Sequence, residues 1–174
     1  MAPKKNIKKL VLVSVIAIIL ILVYSFINTY NEKQAIEKEL LELPELPLND
    51  LDGNTFDLND LKGLKLLVFM DTDCMYCKYQ IEDLKTVRKQ FDNLSIVGIS
   101  EQPIEKLKDY IATEPFFNNP KNFITHDFDS NMADHYRIGT TPHLLIYDAE
   151  NNLIEQNKGY MKADKLIAIL KTVE

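Results

Sequence analysis

Residues 64–84 read LKLLVFMDTDCMYCKYQIEDL. The first seven form an apolar run broken only by Lys65, the composition of a central strand buried on both faces. From Cys74 the spacing changes. Cys77, Ile81, Leu84 and, further on, Phe91 recur near one helical face. The stretch therefore predicts a strand, a short turn and a helix running to about Phe91. Cys74 falls at the exposed start of that helix and Cys77 on its buried side.

These are the only two cysteines, so a structural disulfide elsewhere in the chain is ruled out. A helix N-terminus presents unpaired N–H groups and the positive end of the helix dipole, and both stabilise a thiolate. The thiolate is the nucleophile in thiol–disulfide exchange. Cys74 is accordingly assigned as the attacking thiol and Cys77 as the resolving thiol. Half of a zinc site has the same C-x-x-C form. The other candidate ligands, His126, His135 and His143, form no close-spaced second pair, so no metal is expected. Asp71 and Asp73 flank the pair. An anion beside Cys74 raises its pKa; Asp73 is alternatively a helix cap, and either aspartate is a candidate for moving the Cys77 proton. Met75 and Tyr76 lie between the cysteines, on the side open to a client. His143, Phe116 and Phe117 are further candidates, the phenylalanines with core packing as the competing fate of at least one.

Outward from this unit, Asp52-Gly53-Asn54 is a turn signal inside a hairpin over 48–58. Residues 94–100 read as a second buried strand and 103–112 as a helix with Pro103 near its first turn. A loop over 113–122 holds Pro115 and Pro120. A short strand at 123–125, a short helix at 130–136, strands at 143–148 and 153–159 and a helix at 162–173 complete the pattern. Alternating strands and helices with a closing hairpin predict an α/β layered domain.

The N-terminus is different in kind. Residues 10–27 are almost wholly apolar and follow Lys4, Lys5, Lys8 and Lys9. Their helical length of ~27 Å approaches the hydrocarbon thickness of a bilayer. The run is long for a signal peptide and lacks an A-x-A ending. It is expected to be an uncleaved anchor, with residues 1–9 a cytoplasmic basic stub and all that follows extracytoplasmic. Residues 28–43 read as a Glu-rich helical stalk that Pro44 and Pro47 end. The folded domain is then 44–174. The net charge is −6 overall. The first 30 residues carry +4, which leaves −10 on the rest. An acidic body repels phosphate backbones, so no nucleic-acid partner is expected.

Gly139-Thr140-Thr141-Pro142, placed just before a strand, adds a second motif. With the strand–C-x-x-C–helix unit it resembles the thioredoxin superfamily. That resemblance implies a thioredoxin-like α/β fold, a mixed sheet flanked by helices. It also implies a cis Pro142 lying against the cysteines, and a Thr141 backbone that pairs with an extended client. The anchor, the leading hairpin and the Gly159-Tyr160 ending before the last helix resemble the TlpA and ResA group of membrane-tethered bacterial oxidoreductases, over roughly residues 44–174. Departures are visible. Asp73 stands where the family usually has Trp, Tyr76 where Pro is common, Val68 where many thioredoxins bury an acid, and Met75 where ResA-type proteins have Glu.

The resemblance implies disulfide exchange with protein clients, no cofactor beyond the Cys74–Cys77 disulfide, and a membrane electron-transfer partner. It favours a reductase, for example in cytochrome c maturation, over an oxidase. The competing class is Cu(I) binding by the two cysteines with His143 or His135. Peroxide reduction fits poorly. The peroxiredoxin pattern has Thr three residues before its reactive cysteine, and Thr72 is two before Cys74.

Overall fold

A computed structural model describes the backbone of residues 4–39 and 41–173, and the side chains of 12–31 and 41–173. The lysines of the basic stub and the stalk residues Ile36 and Leu40 lie outside the described side chains. The chain divides into two compact units, Met1–Glu39 and Leu40–Glu174.

The first unit holds a single helix, α1 (Lys4–Glu39). Its segment Leu12–Asn31 is long and apolar enough to cross a membrane, and none of it is buried within the protein. A helix that is apolar all round has no amphipathic seam with which to pack on a soluble core. The stretch expected as anchor and, through Glu39, the expected stalk share this one helix.

The second unit begins before the expected boundary at Pro44. The Leu41 carbonyl accepts from the Leu153 N–H at 2.7 Å, and the Leu43 N–H donates to the Asn151 carbonyl at 3.0 Å. Leu43 is buried. Residues 41–43 therefore join the folded unit instead of ending the stalk, because Leu43 gains apolar cover there that an exposed helical turn cannot give.

Strands β1 (Leu48–Asn49) and β2 (Thr55–Phe56) form the leading hairpin. Then follow β3 (Leu64–Phe69), α2 (Met75–Arg88), β4 (Leu94–Ser100) and α3 (Ile104–Thr113). A turn of 3-10 helix, Pro115–Phe117, interrupts the next loop. The unit ends with β5 (Asn122–His126), α4 (Asn131–His135), β6 (His143–Tyr147), β7 (Leu153–Lys158) and α5 (Ala163–Leu170). The sheet order is β2-β1-β5-β4-β3-β6-β7. The strands β3, β4 and β5 run parallel, while β6 and β7 run antiparallel to their neighbours. This is a thioredoxin-like α/β fold with a mixed central sheet.

Alternation along β3 separates two cores. Leu64, Leu66 and Val68 face one side, with Cys77, Ile81 and Leu84 of α2 and Leu166 and Leu170 of α5. Leu67 and Phe69 face the other, with Tyr136, Leu145 and Tyr147. Gly98 on β4 is needed for close packing on the first side. A Cβ there would lie 3.1 Å from Ile124 Cγ1 and 3.2 Å from Met70 Sδ.

Candidate functional site

The site forms where β3 ends and α2 begins. Asp71 closes the intervening turn. Its carboxylate accepts from the Asp73 N–H at 2.7 Å, and its carbonyl accepts from the Cys74 N–H at 3.2 Å. Cys74 is the N-cap of α2, in extended conformation. Its Sγ accepts from the Cys77 N–H at 3.3 Å. The sulfur thus occupies the position that a Ser or Asp oxygen takes in an ordinary cap, and receives one of the helix's orphan donors. Asp73 is not the cap. Its carboxylate pairs with Lys106 Nζ at 2.5 Å across to α3, and that hydrogen bond holds it below the usual carboxylate range.

The two thiols are driven apart. Burial pushes Cys77 up to about 12, with the Asp71 N–H pulling the other way. Burial also acts upward on Cys74. There it is outweighed by hydrogen bonds from the Cys77 thiol and amide, from Thr141 and from the Tyr76 N–H, so the net displacement is downward. Cys74 is partly exposed and Cys77 is buried. The opposite displacement of neighbouring groups follows from three residues of helix, which carry the chain from solvent to core.

The sheet register brings the second motif to the same place. His143 at the start of β6 pairs with Phe69 at the end of β3. Pro142 therefore lies one step beyond the strand end, level with the turn that leads to Cys74. The Thr141–Pro142 peptide is cis. The Cys74 thiol donates to the Thr141 carbonyl at 3.6 Å.

A groove of about 240 Å³ opens here, lined by Tyr76, Thr141, Pro142, Gly159 and Tyr160. Met75 and Tyr76 are 63% and 61% exposed, so both are free to meet a client. Two residues that sequence reasoning passed over hold the segment behind Gly159 and Tyr160. Gln80 is fully buried; its Nε2 donates to the Met161 carbonyl at 3.0 Å and its Oε1 accepts from the Met161 N–H at 2.8 Å. Asp83 accepts from the Tyr160 hydroxyl and from the Ala163 N–H at the start of α5. The available signal was Gln80 itself, an amide at a position where the helical spacing demands an apolar residue.

Several expected members are elsewhere. His143 does not face the cysteines. Side chains alternate along β6, so Leu144 takes the cysteine side and His143 the opposite one. There His143 Nε2 meets Gln156 Nε2 at 2.8 Å and its ring packs edge-on against Phe69. His135 packs against Tyr136 of that same opposite core. Neither histidine completes a Cu(I) set with Cys74 and Cys77 in this arrangement, and the described residues hold no group of three potential ligands. Phe117 is buried in the core, as expected for at least one of the two, and Phe116 is half-buried against it. Asp71 stays in the turn that leads to Cys74, its carboxylate bound to Gln102 and to the Asp73 N–H and its main-chain N–H acting on the Cys77 pKa.

The chain is similar to proteins of known sequence and structure. A thioredoxin-like protein of Haemophilus influenzae is 29% identical over 108 residues, 60% of this chain and 62% of that protein. The thioredoxin-like protein YneN of Bacillus subtilis is 29% identical over 85 residues, 48% of this chain and 50% of that protein. The aligned stretch thus spans between a half and two thirds of these relatives. A solved structure described as a secreted Mycobacterium tuberculosis disulfide oxidoreductase homologous to DsbE of E. coli superposes with a TM-score of 0.61 at 18% identity, covering 78% of this chain and 98% of that one. Residues 41–156 match the AhpC/TSA family from the start of the folded unit into β7, both cysteines and the Thr141–Pro142 loop included, and the chain belongs to that family.

Proposed function

We propose that this protein is a membrane-anchored thiol–disulfide oxidoreductase that acts on protein clients through Cys74 and Cys77. One observation carries the reading. Two thiols three residues apart sit unequally: Cys74 is at the partly exposed N-cap of α2 with its sulfur accepting from the Cys77 N–H, and Cys77 is buried. The outer is thereby displaced toward thiolate and the inner toward thiol. That is the division of labour exchange needs. In the reducing direction, the Cys74 thiolate attacks a client disulfide. A Cys74–client S–S bond forms, and one client sulfur leaves as thiolate and takes a proton. Cys77 then loses its proton and attacks Cys74 Sγ. The second client sulfur departs and Cys74–Cys77 is left as a disulfide. Two electrons have passed to the client, with the Cys77 proton and one proton from solvent.

The groove beside Cys74 suits an extended client segment, with the Thr141 backbone available for pairing and Met75 and Tyr76 supplying apolar contact. The chain needs no organic cofactor for this cycle, since the disulfide stores the electron pair. A membrane donor is required to return the oxidised pair to dithiol. The reductase direction is supported by the resemblance to the TlpA and ResA group. An extracytoplasmic domain is supported by the apolar span Leu12–Asn31 and by the lysines before it.

The test uses the full chain in detergent. Cys77→Ser should trap a mixed disulfide with a client, and Cys74→Ser should trap none. A reduction potential near or below about −270 mV supports a reductase, whereas one near about −120 mV overturns that direction in favour of a disulfide-forming oxidant.

A further inference from the structure

The turn that carries Cys74 is held from outside the C-x-x-C unit. Gln102, in the segment leading into α3, reaches it twice. Its Oε1 accepts from the Thr72 N–H at 2.9 Å, and its Nε2 donates to Asp71 Oδ1 at 3.0 Å. Gln102 is itself fixed, its N–H donating to Ser100 Oγ at 3.3 Å. One turn further along α3, Lys106 pairs with Asp73. Asp71 is the pivot. Its carbonyl accepts from the Cys74 N–H, and its main-chain N–H acts downward on the Cys77 pKa. Any shift of Asp71 is therefore felt by both thiols.

We infer that Gln102 and Lys106 are positioning residues for the exchange reaction, together forming a clamp on the Asp71–Asp73 turn that keeps Cys74 in its attacking state. The inference rests on the exchange reading above and extends it to residues that touch neither sulfur. Gln102 sets where the Asp71 backbone sits. Lys106 cancels a carboxylate that occupies the residue next to the nucleophile. The charged groups around the turn are Asp71, Asp73, Lys78 of α2, and Lys106 and Asp109 of α3; the last four line one cleft with Tyr110. The Gly139–Pro142 loop contributes no charge, so nothing from that side replaces Lys106.

The magnitudes differ. The Asp73–Lys106 pair is exposed, and the carboxylate acts on the thiolate through water. Its release should change thiolate population by roughly threefold at low salt. Loss of the Gln102 donor removes a partly buried hydrogen bond to a carboxylate, an effect of roughly fivefold or more.

The measurement is the pH dependence of Cys74 alkylation by iodoacetamide in the reduced full chain, with the modified residue identified by mass spectrometry. Lys106→Gln should move the curve upward in pH and slow alkylation at about pH 6 by roughly threefold, with the high-pH plateau unchanged. The double variant Asp73→Asn/Lys106→Gln should return to the wild-type curve, and about 1 M salt should erase the single variant's defect. Gln102→Glu keeps the acceptor for Thr72 but loses the donor to Asp71, and should slow alkylation at that pH by roughly fivefold. Lys106 is on the surface, so its variant keeps the test alive if Gln102→Glu does not fold. Curves for both variants that coincide with wild type overturn the clamp. A wild-type curve with no reactive thiolate at Cys74 overturns the exchange reading instead.

Discussion

Both faces of the central sheet drive buried groups toward neutrality, Cys77 on one and the phenols on the other, but the cysteine face also holds one thiol toward charge. On the cysteine face, Cys74 is held toward its charged form by donors at the mouth of a groove. On the other face, Tyr136 and Tyr147 share one hydroxyl contact at 2.7 Å, and burial drives both phenols upward, Tyr147 to about 12. His143 is pushed down to about 4, by burial first and by Lys158 second. Lys65, fully buried, gives its ammonium to the Gly63 carbonyl at 3.1 Å. The phenols, His143 and Lys65 on that face all move toward neutrality, with desolvation the first cause in each. Cys74 alone among the displaced thiol, phenol and imidazole groups moves toward charge. The sense of a displacement, more than its size, separates a reactive group from a buried one.

Exchanging the thiols breaks the comparison hardest. Cys74→Ser should abolish client reduction, with losses on the order of a thousandfold or more, because the sole activated nucleophile is gone. Cys77→Ser should keep the first attack and stop at the mixed disulfide. Turnover of a disulfide substrate by the full chain, scored beside gel-trapped intermediates, checks both.

The opposite face should answer to pH through stability and not through rate. His143 titrates near 4 when folded and near 6.5 when unfolded. The unfolded state therefore binds more protons between those values. Stability should fall as pH drops through that window, by on the order of 3 kcal/mol, and level off below about pH 4. His143→Gln should flatten this slope and leave the Cys74 alkylation curve in place. Denaturant midpoints across that range give the answer.

Gln80→Leu probes the tether behind the groove. It removes both bonds to Met161 and leaves a buried carbonyl and N–H unpaired. The cost should be about 2 kcal/mol in stability, with weaker client binding because the Gly159–Met161 segment loses its tether. A denaturation curve and a client Kd separate the two effects.

The smallest expected change is the most local. Thr141→Val keeps shape and the carbonyl that Cys74 meets, and removes a hydroxyl that acts downward on the pKa of both thiols. Both thiols should titrate higher, and Cys74 alkylation near about pH 6 should slow by roughly threefold to tenfold. Ultraviolet thiolate titration of the full chain reads the shift directly.

The sequence exposed the frame well where contrast was strong. The strand at 94–100 is bounded as expected, because an unbroken apolar run ends there ahead of Pro103. The hairpin around Gly53 follows from one turn motif. Cys74 and Cys77 are legible because a close pair of thiols at a strand–helix junction suits little chemistry besides exchange and metal binding. The side occupied by His143 was not legible. A strand buried on both faces shows no polar alternation, so HLLIY gives no clue to which residue faces the cysteines. Asp73 was open to reading as a cap because the competing partner, Lys106, is distant in sequence and close only through the sheet crossover. The same holds for Gln102 and for the Gln80–Met161 bonds. Leu43 joined the domain for a reason that lies in β7, beyond any local pattern.

If Cys74 and Cys77 are one redox pair with unequal partners, a redox titration of the full chain in defined thiol buffers shows it most directly, with each cysteine's state read by mass after alkylation. A single two-electron transition, with Cys74 the faster-labelled thiol in the reduced form, is the predicted result. Failure to form a Cys74–Cys77 disulfide at any buffer potential, or equal labelling of both thiols in the folded protein, contradicts the account.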